Sequence, residues 1–320
     1  MLSTDDKTVP EEELEKDIGQ GLESEPELEA EAEQEEVVFK QRSMSRQVLD
    51  RLVRNRAAVL GFGLLAIIVI ACLLAPVIAP EGYNAQNLTV RYERPSWRYP
   101  AGTDNLGRNI LVRMLYGGRV SLWVGFASTL LGAAIGIIIG LISGNSKGRT
   151  DSIIMGLVDI VRSIPSILIA ITIAAALGTG VSTTIIAIGI STIPIFARLT
   201  RAPILQIKNE QYIEAARAIG VNKFRIMLKH LLPNILSPLI VQFTISVALA
   251  IMVAAALSFL GLGVQPPVPE WGAMMNTGRT FILDHPYMVT MPGIALALTV
   301  IGFNLFGNGL RDCLDPRLKI

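Results

Sequence analysis

A chain of 320 residues with 51% hydrophobic and only 17% charged residues is too apolar for an ordinary soluble domain. The near-neutral total of +1 hides two opposed parts: residues 1–36 hold fifteen acidic residues against Lys7 and Lys16, and the remainder carries a net +14. Two cysteines, Cys72 and Cys313, exclude a disulfide framework, and neither His230 nor His285 stands in a cluster of metal-ligand spacing.

In chain order, residues 1–38 form an acidic tail around EPELEAEAEQEE, without apolar periodicity, expected to stay disordered on the cytoplasmic side, either as a solvating tail or as a tethered regulatory one. An acidic start is also the wrong opening for a cleavable signal peptide, so the first apolar segment is expected to remain as an anchor. That anchor is residues 57–79, free of charge, within a unit 39–100 that also begins an external loop. Residues 101–320 then read as a core of five further spans: 120–143, 152–177, 180–197, 236–263 and 288–308.

Basic residues set the orientation. Lys40, Arg42, Arg46, Arg51, Arg54 and Arg56 precede the first span, Lys147 and Arg149 follow the second, and seven Lys or Arg lie in 198–235. With Arg311, Arg317 and Lys319 in the tail, all of these fall on one side if the chain crosses six times with both termini cytoplasmic. One segment dissents. Residues 80–119 should be outside, yet hold Arg91, Arg94, Arg98, Arg108, Arg113 and Arg119.

The second span carries Ser128, Gly132, Gly136 and Gly140, four residues apart and so on one helix face, where absent side chains admit a second helix closely. That partner is either another helix of this chain or another subunit. In the third span, Asp159 and Arg162 each cost about 2.5–3.5 kcal/mol near a helix centre, so they are expected to face protein or water and to pair at i, i+3. They mark a translocation path or gate, or they pin the first turns of that helix above Pro165. The loop VQPPVPEWG, 264–272, suits contact with a substrate-delivering protein, closure of an outer gate, or anchoring of Trp271 at the membrane interface.

Residues 200–235 interrupt the apolar runs with a charged, helix-patterned stretch. Tyr212, Ala215, Ala216 and Ile219 predict one apolar face, with Glu210, Glu214 and Arg217 on another. Gly220 suits a left-handed helix end, and Asn222 an N-cap for a second short helix with Phe224, Met227, Leu228 and Leu231 on its apolar face. Pro233 is expected to close that unit. The helix–glycine–helix elbow fits a groove on a protein partner, or else rests on lipid.

The order Glu214-Ala215-Ala216, Gly220, then Leu232-Pro233 resembles the EAA loop of ABC importer permeases. The His230 to Asn234 ending, in KHLLPN, looks like the peptide and nickel branch, where the generic pattern has an apolar residue at the His230 position. GTDNLGRNILVRMLYGGRVSL, 102–122, is similar to the stretch before the second span in dipeptide and oligopeptide permeases, with Asn109 replacing the usual aspartate and Val112 a frequent serine. LSFLGLGVQPPVPEWGAMM, 257–275, resembles the family's fifth span and following loop. The likeness runs from about residue 45 to the C-terminus, and the anchor before a five-span core looks like the C-type member of a permease pair.

The resemblance implies an all-α integral membrane protein of type I ABC importer permease (MetI-like) fold, with six transmembrane helices, in a bacterial or archaeal plasma membrane. It implies a homologous permease as heterodimer partner, two ATP-binding subunits and an extracytoplasmic substrate-binding protein, the cargo being peptides or a related small solute. It makes Glu214, Ala215, Ala216, Arg217, Gly220, His230, Leu232, Pro233 and Asn234 the coupling loop to the ATPase. No Gly-x-x-x-x-Gly-Lys-Ser/Thr segment occurs, and the single Gly-x-Ser-x-Gly match, Gly144 to Gly148, lies in a short loop between two apolar spans and not at a strand-to-helix elbow, so no catalytic residue, cofactor or metal is expected in this chain, ATP and magnesium belonging to the partner subunits. Nucleic acid is not an expected partner. The competing reading is an ion-coupled secondary transporter with Asp159 as its titrating group.

Overall fold

The computed structural model describes residues 50–146 and 148–314. The acidic tail, Lys40, Arg42, Arg46, Lys147, Arg317 and Lys319 lie outside the described residues. The unit that begins at Arg51 is helical. Its helices are α1 (Arg56–Leu73), α2 (Ala75–Ile78), α3 (Ile110–Asn145), α4 (Arg149–Ser163), α5 (Ser166–Leu177), α6 (Val181–Ile207), α7 (Gln211–Ala218), α8 (Lys223–Ile226), α9 (Leu232–Phe259), α10 (Trp271–Arg279) and α11 (Tyr287–Leu314). Among the described residues the only β pairing is an isolated antiparallel bridge between Thr103 and Asn109.

Among the described residues, five helices are long and apolar enough to cross a membrane: α1, α3, α6, α9 with its α8 extension, and α11. The expected third span, 152–177, is not one straight helix. It breaks at Ile164–Pro165 into α4 and α5, bent by 86°. The cause is local: proline drives the residue before it out of helical geometry, and Ile164 is extended at φ −92°, ψ 131°.

Connectivity shows that this bent pair still crosses. The small-residue face of α3 meets α6 in ascending register, Gly132 with Gly189 and Thr192, Gly136 with Ile193 and Phe196, Gly140 with Ala197 and Thr200, Gly144 with Ile204. The two helices therefore run in the same direction. A chain that leaves α3 at one end and enters α6 at the other must be carried back between them by α4 and α5. Among the described residues six crossings follow, five made by continuous helices and one broken.

The remaining helices fall into place around this pair. α1 runs antiparallel to α11, with Gly61 against Gly302 and Phe306, and Ala58 against Gly309. Asn55, before α1, donates to Asp312 near the end of α11 at 3.4 Å. The start of α1, the end of α11 and the α7–α8 elbow thus share one end of the bundle, and the 80–109 segment and α10 share the other.

That second end accounts for part of the arginine excess in 80–119. Asp104 holds Arg108 at 2.6 Å and Arg113 at 3.8 Å, all three buried, and Arg113 also donates to the Tyr83 carbonyl at 3.2 Å. Two of the six arginines are therefore internal struts of a folded cap. Asn109, where the resemblance leads one to expect aspartate, caps α3 by accepting from Leu111 and Val112 N–H at 3.0 and 3.4 Å. Asparagine serves an N-cap as well as aspartate does, so the departure has no structural cost.

Candidate functional site

The 200–235 segment forms a rigid elbow at the end of the bundle. α7 ends in a Schellman motif: Val221 N–H donates to the Ala216 carbonyl and Gly220 N–H to the Arg217 carbonyl, both at 3.0 Å, with Gly220 at φ +80°. The side chain of Val221 closes the motif by packing into the same apolar cluster as Ala216. Asn222 then caps α8, accepting from Phe224 N–H at 3.1 Å. The left-handed glycine and the cap stand where the pattern puts them.

Two expectations are corrected here. Pro233 does not close a separate short helix. α8 runs through a π-helical turn, Met227–Leu231, directly into α9, giving one continuous span Lys223–Phe259. The widened turn accommodates a residue that cannot donate a backbone bond. Asn234 supports the passage by donating to the His230 carbonyl at 2.6 Å and to the Tyr212 hydroxyl at 3.3 Å, which ties α7 to the root of α9.

The second correction concerns the apolar face. Tyr212, Ala215, Ala216 and Ile219 do not form one buried stripe. Ile213 and Ala216 turn inward and join Ile226, Leu231, Ile235 and Leu239 against Phe196, Ile204 and Leu141 of α6 and α3. Tyr212, Ala215 and Ile219 face outward, with Ile219 81% exposed. Phe224, 64% exposed, and Leu228 continue that outward surface, rimmed by the exposed Glu214, Arg217, Lys223 and Arg225. Leu232 is half-buried and packs on the inner cluster, whereas Pro233 is exposed. The elbow therefore carries two apolar stripes, one holding it to the bundle and one left for something else.

The charged pair is rearranged as well. Asp159 is not paired with Arg162, which is exposed; its partner is Arg198 of α6, donating through Nε at 2.8 Å. One turn later in α6, Arg201 grips Asp151, nearer the start of α4, with two hydrogen bonds of 2.7 and 2.6 Å. Local spacing favours i, i+3, but α6 lies beside this face of α4, and Arg198 and Arg201 are themselves i, i+3 on it. These bridges brace the broken crossing against the straight one.

Ser128, Gly132, Gly136 and Gly140 are all buried in the α3 seam. The three glycines face α6 of this same chain, while the Ser128 hydroxyl turns back to the Val124 carbonyl at 2.6 Å. A Cβ on Gly140 would come within 2.5 Å of both the Ala197 carbonyl oxygen and Thr200 Cβ.

At the opposite end, sequence reasoning misplaced Trp271 and missed Glu270. Trp271 is no interfacial anchor: it is buried, and its Nε1 donates to the Met114 carbonyl at 3.0 Å. Glu270 is fully buried as the N-cap of α10, accepting from Ala273 N–H at 2.9 Å and from the Ser121 hydroxyl at 3.1 Å. Burial raises its carboxyl above the usual range, against the opposing pull of the Gly272 and Ala273 amides and the Ser258 and Ser121 hydroxyls. A lone acid three residues before Ala273, between a proline and an apolar helix start, was the available signal. Among the described residues, no three His, Cys, Asp or Glu side chains converge as a metal site.

Comparison with known proteins matches residues 136–320 to the family described as binding-protein-dependent transport system inner membrane component. Residues 43–95 match the N-terminal transmembrane domain of oligopeptide transport permease C. The chain is 43% identical to a di/tripeptide transport system permease protein of Pseudomonas aeruginosa, over 83% of this chain and 89% of that one. It is 41% identical to a dipeptide transport system permease protein of Alkalihalophilus pseudofirmus, over 86% and 90%. A glutathione transport system permease protein of Pectobacterium atrosepticum is 42% identical, over 86% and 91%. Among solved structures, an inward-facing methionine ABC transporter chain superposes with a TM-score of 0.53 at 21% identity, covering 63% of this chain and 96% of that one.

Proposed function

The chain belongs to the family of inner-membrane components of binding-protein-dependent transport systems, the permease subunits of ABC importers, and on that premise we propose that it moves short peptides. Relatives named for dipeptides, di/tripeptides and glutathione all carry cargo with a peptide backbone. The pathway forms between this chain and a homologous second permease. ATP and magnesium are handled by two partner subunits, and an extracytoplasmic binding protein delivers the cargo.

The elbow is where ATPase movement enters this chain. The observation that carries this reading is the pair of stripes on α7: Ile213 and Ala216 locked into the bundle, Tyr212, Ala215 and Ile219 facing out. A helix clamped on one side and apolar on the other transmits displacement from a partner to α6 and α9 without flexing. Glu214, Arg217, Lys223 and Arg225 form a charged rim that sets the register of docking. Ala216, by contrast, is small for the chain's own packing.

Replacing Ile219 and Phe224 by Asp leaves the inner stripe intact and removes the outer one. Uptake of a labelled dipeptide should fall roughly tenfold or more, as for a lost interface anchor. The ATPase subunits should co-purify less well, while the two permeases still assemble. Wild-type uptake and ATPase retention by the double variant would refute the docking role. An ion-coupled mechanism through Asp159 finds no support in the family, and Asp159 is occupied by Arg198.

A further inference from the structure

The cap at the end opposite the elbow ends in a turn that nothing among the described residues covers. Ser96 N–H donates to the Tyr99 carbonyl at 2.9 Å, Tyr99 N–H to the Ser96 hydroxyl at 3.2 Å, and Gly102 N–H to the Tyr99 carbonyl at 2.8 Å. Pro95 and Pro100 flank the turn and restrict it further. Trp97 and Arg98 occupy its two central positions. Trp97 is fully exposed, and the Arg98 guanidinium lies 5.5 Å from the Tyr99 ring centre.

The base of the turn is fixed. Thr103 N–H donates to the Glu93 carbonyl at 2.9 Å, and Glu93 N–H to the Thr103 hydroxyl at 2.8 Å. Tyr92 stacks on His285 with ring centres 4.4 Å apart. The turn is thus presented in one shape before anything binds, which lowers the entropic cost of association.

The charge pattern points the same way. Of the arginines in 80–119, Arg108 and Arg113 are consumed by Asp104, but Arg91, Arg94 and Arg98 are exposed and, among the described residues, in no ion pair. A fully exposed tryptophan next to Arg98, in a segment that also exposes Arg91 and Arg94, has the composition of an interface anchor, and its complement is an acidic surface.

Lipid is the rival occupant, and height argues against it. The apolar stretch that begins with α1 ends at Ala79, whose carbonyl accepts from the Tyr116 hydroxyl of α3 at 3.1 Å. From Tyr116 α3 runs six residues further to Ile110, about 9 Å. Ile110 N–H donates to the Gly102 carbonyl at the foot of the turn, at 3.1 Å. One headgroup layer is only about 5–8 Å thick, so the foot of the turn stands at about its outer edge. The loop 264–272 offers no competing surface at its end, because Glu270 and Trp271 are buried.

We propose that the Ser96–Tyr99 turn is a docking knob for an acidic surface on the extracytoplasmic binding protein, with Trp97 as apolar anchor and Arg98 as charged anchor. This rests on the permease reading above. The test uses the complete importer, both permeases and both ATP-binding subunits, in nanodiscs, titrated with its purified binding protein while ATPase stimulation is read. Trp97→Ala and Arg98→Glu should each raise the half-saturating concentration roughly tenfold or more. Trp97→Phe and Arg98→Lys should restore most of it. Co-purification of all four subunits checks that the variants assemble. Added salt should weaken wild type but not the Arg94→Glu/Arg98→Glu pair, because in the latter the attraction has become a repulsion that salt relieves.

Titration of Trp97→Ala along the wild-type curve would overturn the knob. So would a defect that follows the anionic lipid content of the nanodisc instead of the binding protein. If the wild-type importer itself showed no stimulation by its binding protein, the permease reading would fail first and take the knob with it.

Discussion

The amide of Asn234 and the carboxyl of Glu270 show single polar residues joining elements that the apolar core leaves independent. Asn234 links α7 to the root of α9 beside a π-helical turn. Glu270 gathers α3, α9 and α10 through Ser121, Ser258 and its own N-cap bonds. Its folded carboxyl titrates above the unfolded one, so its contribution to stability is complete below the unfolded carboxylate range. That contribution is lost as pH rises through the raised value. Glu270→Gln, which keeps the shape and cannot ionise, should therefore flatten the fall of thermal stability with rising pH, measured on the detergent-solubilised protein. Glu270→Ala should cost about 1–3 kcal/mol, because Ser121 and the α10 amides lose their partner in a buried place. An unchanged pH profile in Glu270→Gln would show that this carboxyl does not drive it.

Among the elements, the α3–α6 seam is the most constrained. Gly140→Ala should destabilise the assembled permease by about 1–3 kcal/mol through overpacking against Ala197 and Thr200. Gly156→Ala in α4, where an added Cβ meets nothing within 4 Å, is the matched control and should be neutral or slightly stabilising. Thermal stability of the two variants, measured side by side, checks the contrast; equal losses would mean the seam does not depend on the absent side chain. The four-residue spacing of these glycines was legible in the sequence because helix geometry alone projects them to one face. Their partner was not, because spacing says nothing about which helix approaches. The same limit applied to Asp159, whose neighbour Arg198 is set by tertiary proximity while Arg162 is set only by periodicity. On α7, Gly220 was readable from local backbone demands. The division into inner Ile213 and Ala216 and outer Tyr212 and Ile219 was not, since both stripes are apolar. Pro233 misled because an upstream π turn relieves the usual proline break.

For the whole molecule, parity follows from direction. The shared direction of α3 and α6 requires a return crossing through α4 and α5, so α1 starts and α11 ends at the elbow end of the bundle. That end carries Arg149, Arg217, Lys223, Arg225 and Arg311, and we assign it to the cytoplasm. A cysteine at position 223 should be blocked only by membrane-permeant reagents in intact cells, and one at position 97 also by impermeant ones. Reversed labelling of the two sites would invert the orientation and remove both the elbow and the knob from their partners. The buried Asp104, Arg108 and Arg113 cluster removes two of the six arginines of 80–119 from the count that runs against this assignment.

The parallel seam has a further consequence for synthesis. Helices that run in opposite directions can pair as a hairpin soon after the second one emerges, but α3 and α6 cannot. α3 must wait in the bilayer, its row of Gly132, Gly136, Gly140 and Gly144 open, until the bent pair has crossed and α6 has followed it to Ile207. Throughout that interval the row is a vacant mate for any small-residue helix nearby. Correct biogenesis of this chain is therefore a race between its own sixth helix and its neighbours', and slowed translation between residues 145 and 207 is the step at which misassembly would be decided.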